Sequence, residues 1–133
     1  MNSSHAAPVL AALRALTPAL TISDGPVDPA SPPALPYAVA YVHIDMPEAV
    51  SLEEVADRVT CTAIVHSVAG NAEAVRKVTD RVIGALVGLR PEVPGRSCSR
   101  LAMVDSRPPD WDRSTGRLVM TQATVFEYVS SPG

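Results

Sequence analysis

The stretch Arg58-Val-Thr-Cys-Thr-Ala-Ile-Val-His-Ser-Val-Ala-Gly-Asn-Ala-Glu-Ala-Val-Arg-Lys-Val-Thr-Asp-Arg-Val-Ile-Gly-Ala-Leu-Val-Gly-Leu89 changes its hydrophobic period once. Up to Val68 the pattern alternates. Val59, Cys61, Ala63 and Val65 fall on one side of an extended chain, and Arg58, Thr60, Thr62 and His66 on the other. From Asn71 onward the period is helical, with Val75, Val78, Val82, Leu86 and Leu89 on one face opposite Glu73, Lys77, Asp80 and Arg81. Gly70-Asn71 supplies the turn between them. Asn71 is a good N-cap, Glu73 sits at the positive end of the helix dipole, and Gly88 and Pro91 mark the far end. The stretch therefore predicts a sheet with one wet face and a helix laid on its dry face. No catalytic motif interrupts it.

Upstream, Val9, Leu13, Leu16 and Leu20 recur at helical spacing, with Pro8 tolerable in a first turn and Thr17-Pro18 as a stop. Ala19 to Ile22 reads as a short strand. Ser23 to Pro36 carries prolines 26, 29, 32, 33 and 36, and the expectation is an extended, mobile loop. Tyr37 to Ile44 is the next strand, and a polar link at Glu48–Glu54 leads into a long strand through Ala56–Val68. Two further strands, Cys98–Val104 and Arg117–Val129, flank a twelve-residue connection from Asp105 to Gly116. On the last strand Leu118, Met120, Phe126 and Tyr128 are expected to share a face. The class is α+β, an antiparallel-rich mixed sheet of about four to five strands with two main helices, one of them packed on the sheet face. Residues 1–133 read as a single domain with a Pro-rich loop at 23–36.

Composition narrows the function. Net charge is −3, and the eleven basic residues are spread along the chain without a basic window or interleaved aromatic residues, which argues against a nucleic-acid platform. Cys61 and Cys98 lack CxxC spacing and read as buried reduced thiols, with a disulfide the alternative. The apolar run from Ala6 to Leu20 is broken by Arg14 and has no basic leader, so it reads as a helix of a cytoplasmic protein rather than a signal peptide. No stretch approaches membrane-spanning length.

Chemistry-bearing residues are few. His66-Ser67 lies near a strand end, but a nucleophile needs a base and an orienting acid in reach, and His5 and His43 belong to other elements. A histidine on the solvent face of a sheet is the bland alternative. Asp105, Asp110 and Asp112 alternate with Arg107, Arg113 and Arg117 in the long connection, without the spacing of a calcium loop. Such mixed signs suit an interaction loop or a solvated turn, and the lone Trp111 favours interaction. Ile83 and Val87 widen the apolar stripe of the second helix, either as core or as a patch covered by a neighbouring subunit. The candidate interface is therefore Ile83, Val87, Asp105, Arg107, Asp110, Trp111, Asp112 and Arg113, with no catalytic residue, cofactor or metal expected.

Taken together, the chain resembles the tail terminator (tail completion) proteins of long-tailed bacteriophages and prophages. The resemblance spans Ala7 to Val129. It is carried by L-P-Y-A-V at Leu35–Val39, the strand at Arg58–Ser67, the helix at Ala72–Leu86, the segment C-S-R-L-A-M-V-D-S-R-P-P-D-W-D at Cys98–Asp112, and a long closing strand. It implies a structural protein of the virion, assembled in the host bacterial cytoplasm and placed at the tail-head interface. Such proteins form a hexameric ring of identical subunits on the finished tail tube, stop its growth, and present the surface to which the head docks. The implied partners are copies of the chain itself, the tail tube protein and a head-completion or connector protein, with no membrane. DNA passes through the lumen without specific binding. A head-tail joining or tail tube protein of the same assembly is the first alternative, and a small α/β enzyme using His66, Ser67 or Cys61 the second.

Overall fold

In a computed structural model that describes residues 2–45, 58–113 and 116–133, two helices cover one face of a single curled sheet. The elements run α1 (Asn2–Arg14), β1 (Thr21–Asp24), β2 (Tyr37–Asp45), β3 (Val59–Ala69), α2 (Ala72–Leu86), β4 (Arg96–Cys98), β5 (Ala102–Ser106), β6 (Asp110–Asp112) and β7 (Val119–Pro132). The sheet order is β1-β2-β3-β7-β4, with β5 and β6 also paired to β7. Only β1 and β2 run parallel; β2, β4, β5 and β6 meet their neighbours antiparallel, as β3 does with β7. The expected link at Glu48–Glu54 and the start of the long strand at Ala56 lie outside the described residues.

The period change at Gly70-Asn71 is where strand gives way to helix. Asn71 is extended, and its Oδ1 accepts from the Ala74 N–H at 2.8 Å, satisfying a donor of the first turn. Val75, Val78, Val82 and Leu86 are buried, each worth about 1.5–3 kcal/mol of transfer from water. Val78, Val82 and Leu86 meet Cys61, Ala63, Val65, Phe126 and Tyr128 of the sheet and Val9, Leu10 and Leu13 of α1 in one core, while Val75 packs with Ala69 and Met120. α2 stops at Leu86, three residues short of the expected stripe. Val87 is already extended and Gly88 takes φ +84°, a left-handed turn natural to glycine. The Gly88 N–H then donates to the Leu101 carbonyl, so Leu89 packs on the core from outside the helix.

Three other expectations are revised. The strand expected over Cys98–Val104 is two strands, β4 and β5, broken where Ser99 bonds back to Val129. The connection from Asp105 to Gly116 contains β6, because β7 spans 14 residues and holds three short partners end to end. Leu118 precedes β7 and is exposed, so it does not share the inward face of Met120, Phe126 and Tyr128.

The second face of the sheet is only partly wet. Tyr37, Val39, Val68 and Val119 form a small buried cluster there, with Val27 of the Pro-rich segment packed against it. That segment is tied down at both ends. The Gly25 N–H donates to Ala40 O at 2.9 Å, and Arg117 Nη2 donates to Pro33 O at 2.6 Å from a guanidinium lying over the Tyr37 ring. These two contacts hold the segment against the sheet.

Candidate functional site

The predicted site residues divide between two places. Asp105, Arg107, Asp110, Trp111, Asp112 and Arg113 lie on or beside β5 and β6, the segmented margin of the sheet along β7. Every residue of β5 is exposed, and Trp111 of β6 is 53% exposed. Val87 lies at the C-terminal end of α2 and is 47% exposed, whereas Ile83 is half-buried against the core. In the single chain Ile83 packs against the core and Val87 lies on the surface.

Register sets which way the margin presents each side chain. Met103 opposes Phe126 and Trp111 opposes Met120, so both stand on the helix side of the sheet. Asp105 opposes Val125, Asp110 opposes Thr121 and Asp112 opposes Val119, which places the three carboxylates on the other side. A register shift between Met103 and Asp105 makes Val104 the extra residue of a bulge. Two outer amides of the margin are already occupied by their neighbours. Asp105 Oδ1 accepts from the Ser106 N–H at 2.9 Å, and Asp110 Oδ1 from the Trp111 N–H at 2.8 Å. With these donors engaged and a bulge at Val104, the margin is blunted against strand addition. It can dock through side chains. Met103 and Val104, both exposed, lie outside the residues that the sequence singles out. The signal that locates the margin in the sequence is Trp111.

Behind the margin, on the face opposite the helices, a cleft of about 230 Å³ is lined by Pro26, Pro29, Tyr41, His66, Asp112 and Thr121, among others. The His66 ring meets Tyr41 edge to face, with centroids 5.7 Å apart. Burial lowers the His66 pKa, and the Asp112 carboxylate only partly opposes this, so the ring is neutral at pH 7. Ser67 faces away. Strand alternation sends it to the helix side, where its Oγ is buried without a hydrogen-bond partner among the described residues. His66 and Ser67 therefore cannot act on one substrate atom.

The remaining candidates are held inside the core. Cys61 is buried with a free thiol whose pKa is pushed up to about 11 by burial, and Cys98 is likewise buried and unbonded. Tyr128, beside Cys61, is also pushed up by burial. Among the described residues no cluster of His, Cys, Asp or Glu is placed to hold a metal ion, and no helix is long and apolar enough to cross a membrane.

No family model matches the chain, and no curated protein matches it. Solved structures do. A chain from the virion of a native gene transfer agent particle superposes with a TM-score of 0.67 at 16% identity, covering 96% of this chain and 93% of its own length. A second solved structure gives a TM-score of 0.67 at 16% identity over 98% of this chain and 96% of the other. At that identity the likeness defines a shared fold, from end to end of both chains.

Proposed function

We propose that this protein is a structural component of a phage or phage-like virion, and within it a tail terminator. The observation that carries the reading is the whole-length likeness to a chain of the gene transfer agent virion. Function then rests on shape: copies close into a ring on the end of the tail tube, stop its growth, and offer the head a docking surface. The blunted, side-chain-rich margin at β5 and β6 supports a role in assembly. The partners in this reading are further copies of the chain, the tube protein and a head-completion protein, with DNA passing through the lumen.

Particle assembly with the gene removed tests this. A terminator leaves tubes of uncontrolled length beside unjoined heads, and supplying the protein restores joined particles. Loss of tubes altogether indicates a tube subunit, and tubes of normal length that stay unjoined indicate a joining protein. Normal, filled particles overturn the proposal.

A further inference from the structure

β2 outruns its outer neighbour. β1 ends opposite Ala40, where the Gly25 N–H donates to Ala40 O, and β2 continues to Asp45. That bond fixes the pleat. Ala40 turns its backbone groups away from β3, and so do Val42 and Ile44, two and four residues on. Beyond the end of β1 this edge has no strand beside it. The Val42 N–H and C=O meet no partner among the described residues, and the Ile44 N–H is taken by a side chain, Asn2 Oδ1 at 3.1 Å. An amide oxygen thus stands where the carbonyl of a further strand would stand. Val42 lies in a groove of about 570 Å³, with Ala6, Ala7, Leu10 and Ala11 of α1 along it and Asp24 at the end of β1.

We propose that this edge accepts a short extended segment of another protein, which joins the sheet as a strand in line with β1. Open N–H and C=O groups of a strand select that chemistry, because an extended backbone is what satisfies both at once. The Val42 side chain packs toward the helix-side core, so the residue that pairs with it points the same way, onto α1. The alanines there leave room for an aliphatic side chain at that position. A strand in line with β1 has to stop at Asp24, so the occupant is a few residues long and ends or turns there. The described residues of this chain hold no such segment. Their strands are paired, and the Pro-rich stretch is held at Gly25 and Pro33. The occupant is therefore a different protein, one that exposes a flexible stretch of alternating aliphatic residues. Asn2 covers the edge until the segment arrives and gives up the Ile44 N–H to it.

A displayed library of random decapeptides, selected on the immobilised full-length protein and sequenced, supplies the probe. The selected peptides alternate aliphatic residues, and a synthetic copy of one is titrated calorimetrically into the parent and three variants. Val42→Pro removes an outward N–H that has no partner among the described residues, so the melting curve stays parental while peptide affinity falls at least about tenfold. Ala7→Arg fills the groove from the exposed face of α1 without touching the core, and it weakens binding likewise even where the proline disturbs the strand. Asn2→Ala frees the Ile44 N–H and tightens binding about fivefold. Methylating alternate amide nitrogens of the peptide abolishes binding in one phase and spares it in the other, as pairing along a single edge requires. A selection that yields no binding peptide, equal affinity for the parent and Ala7→Arg, or indifference to the phase of methylation overturns the proposal. So does self-association that Val42→Pro or Ala7→Arg abolishes, which would make a second copy of this chain the occupant.

Discussion

His5 Nε2 lies 2.9 Å from Ser130 Oγ, 125 positions further along the chain, and both side chains are fully buried. The contact joins the first helix to the last strand. The same hydroxyl accepts from Arg96 Nε at 2.6 Å, and the Tyr128 hydroxyl donates to His5 O at 2.7 Å. Three elements distant in sequence converge on one buried oxygen. Ser130→Ala removes that oxygen, and the expected loss is about 1–3 kcal/mol, the cost of leaving buried polar groups underbonded. Urea denaturation measures it. A midpoint within experimental error of the parent means the network does not hold α1 in place.

This network shows where sequence reading stops. His5 was legible only as a histidine in a different element from His66, since nothing local links it to Ser130. Alternation in β3 and the stripe of α2 were legible because strand and helix periods are written in adjacent residues. The split into β4, β5 and β6 was not, because it depends on β7 offering a partner surface long enough for all three. The margin residues Asp105 to Arg113 were picked out by composition. Which side each presents came only from register. The cleft at His66 depends on Pro26 and Pro29, brought there by contacts far along the chain.

Val82 is fully buried beneath α2, whereas Val87, five residues on, is half in solvent. Val82→Asp therefore buries an unpaired carboxylate, and the expected outcome is loss of more than about 4 kcal/mol, enough to unfold a marginal domain. Val87→Asp stays folded. Circular dichroism melts of the two variants check the contrast. A Val82→Asp protein that melts with the parent would mean that α2 turns a different face to the sheet.

The Pro-rich segment owes its position to Arg117, which bonds Pro33 O and lies over Tyr37. Part of that guanidinium is buried without a partner, since Nε has no hydrogen bond among the described residues. Arg117→Ala then releases the segment at modest cost, about 1 kcal/mol, as the lost contacts are offset by relief of the unsatisfied Nε. Hydrogen exchange is the measurement. Faster exchange at Gly25, whose N–H bonds Ala40 O, is expected, with α2 amides unchanged. Equal protection at Gly25 in both proteins would assign the anchoring to Val27 and its cluster.

Cys61 gives the pH dependence. Burial raises its folded pKa from 9.0 to about 11, so folding favours the protonated thiol. The sign follows from linkage. Below pH 9 both states are protonated and the stability contribution is fully present. Between pH 9 and about 11 only the unfolded thiol ionises, and stability falls. At neutral pH the thiol is therefore inert, and its alkylation rate tracks unfolding rather than thiolate content. Reaction with a thiol reagent at pH 8, with and without urea, separates the cases. Rapid labelling of the native protein contradicts the burial.

Trp111 is the largest exposed apolar side chain on the margin, and it stands on the helix side of the sheet while Asp110 and Asp112 flank it on the other. A tryptophan so placed contributes little to the fold of one subunit, since half its surface already meets water. Between subunits its burial is worth more than any charge pair beside it. Trp111→Ala together with Arg113→Glu should leave the melting temperature within a few degrees of the parent, as surface changes remote from core packing do. Self-association, and completion of tails in particles, should fall by at least about tenfold, the loss of one anchor of roughly 1.4 kcal/mol or more. Light scattering and particle counts read the two effects separately. Unchanged assembly with an unchanged melt would remove the β6 margin from the interface and leave the C-terminal corner of α2 as the surface to explain.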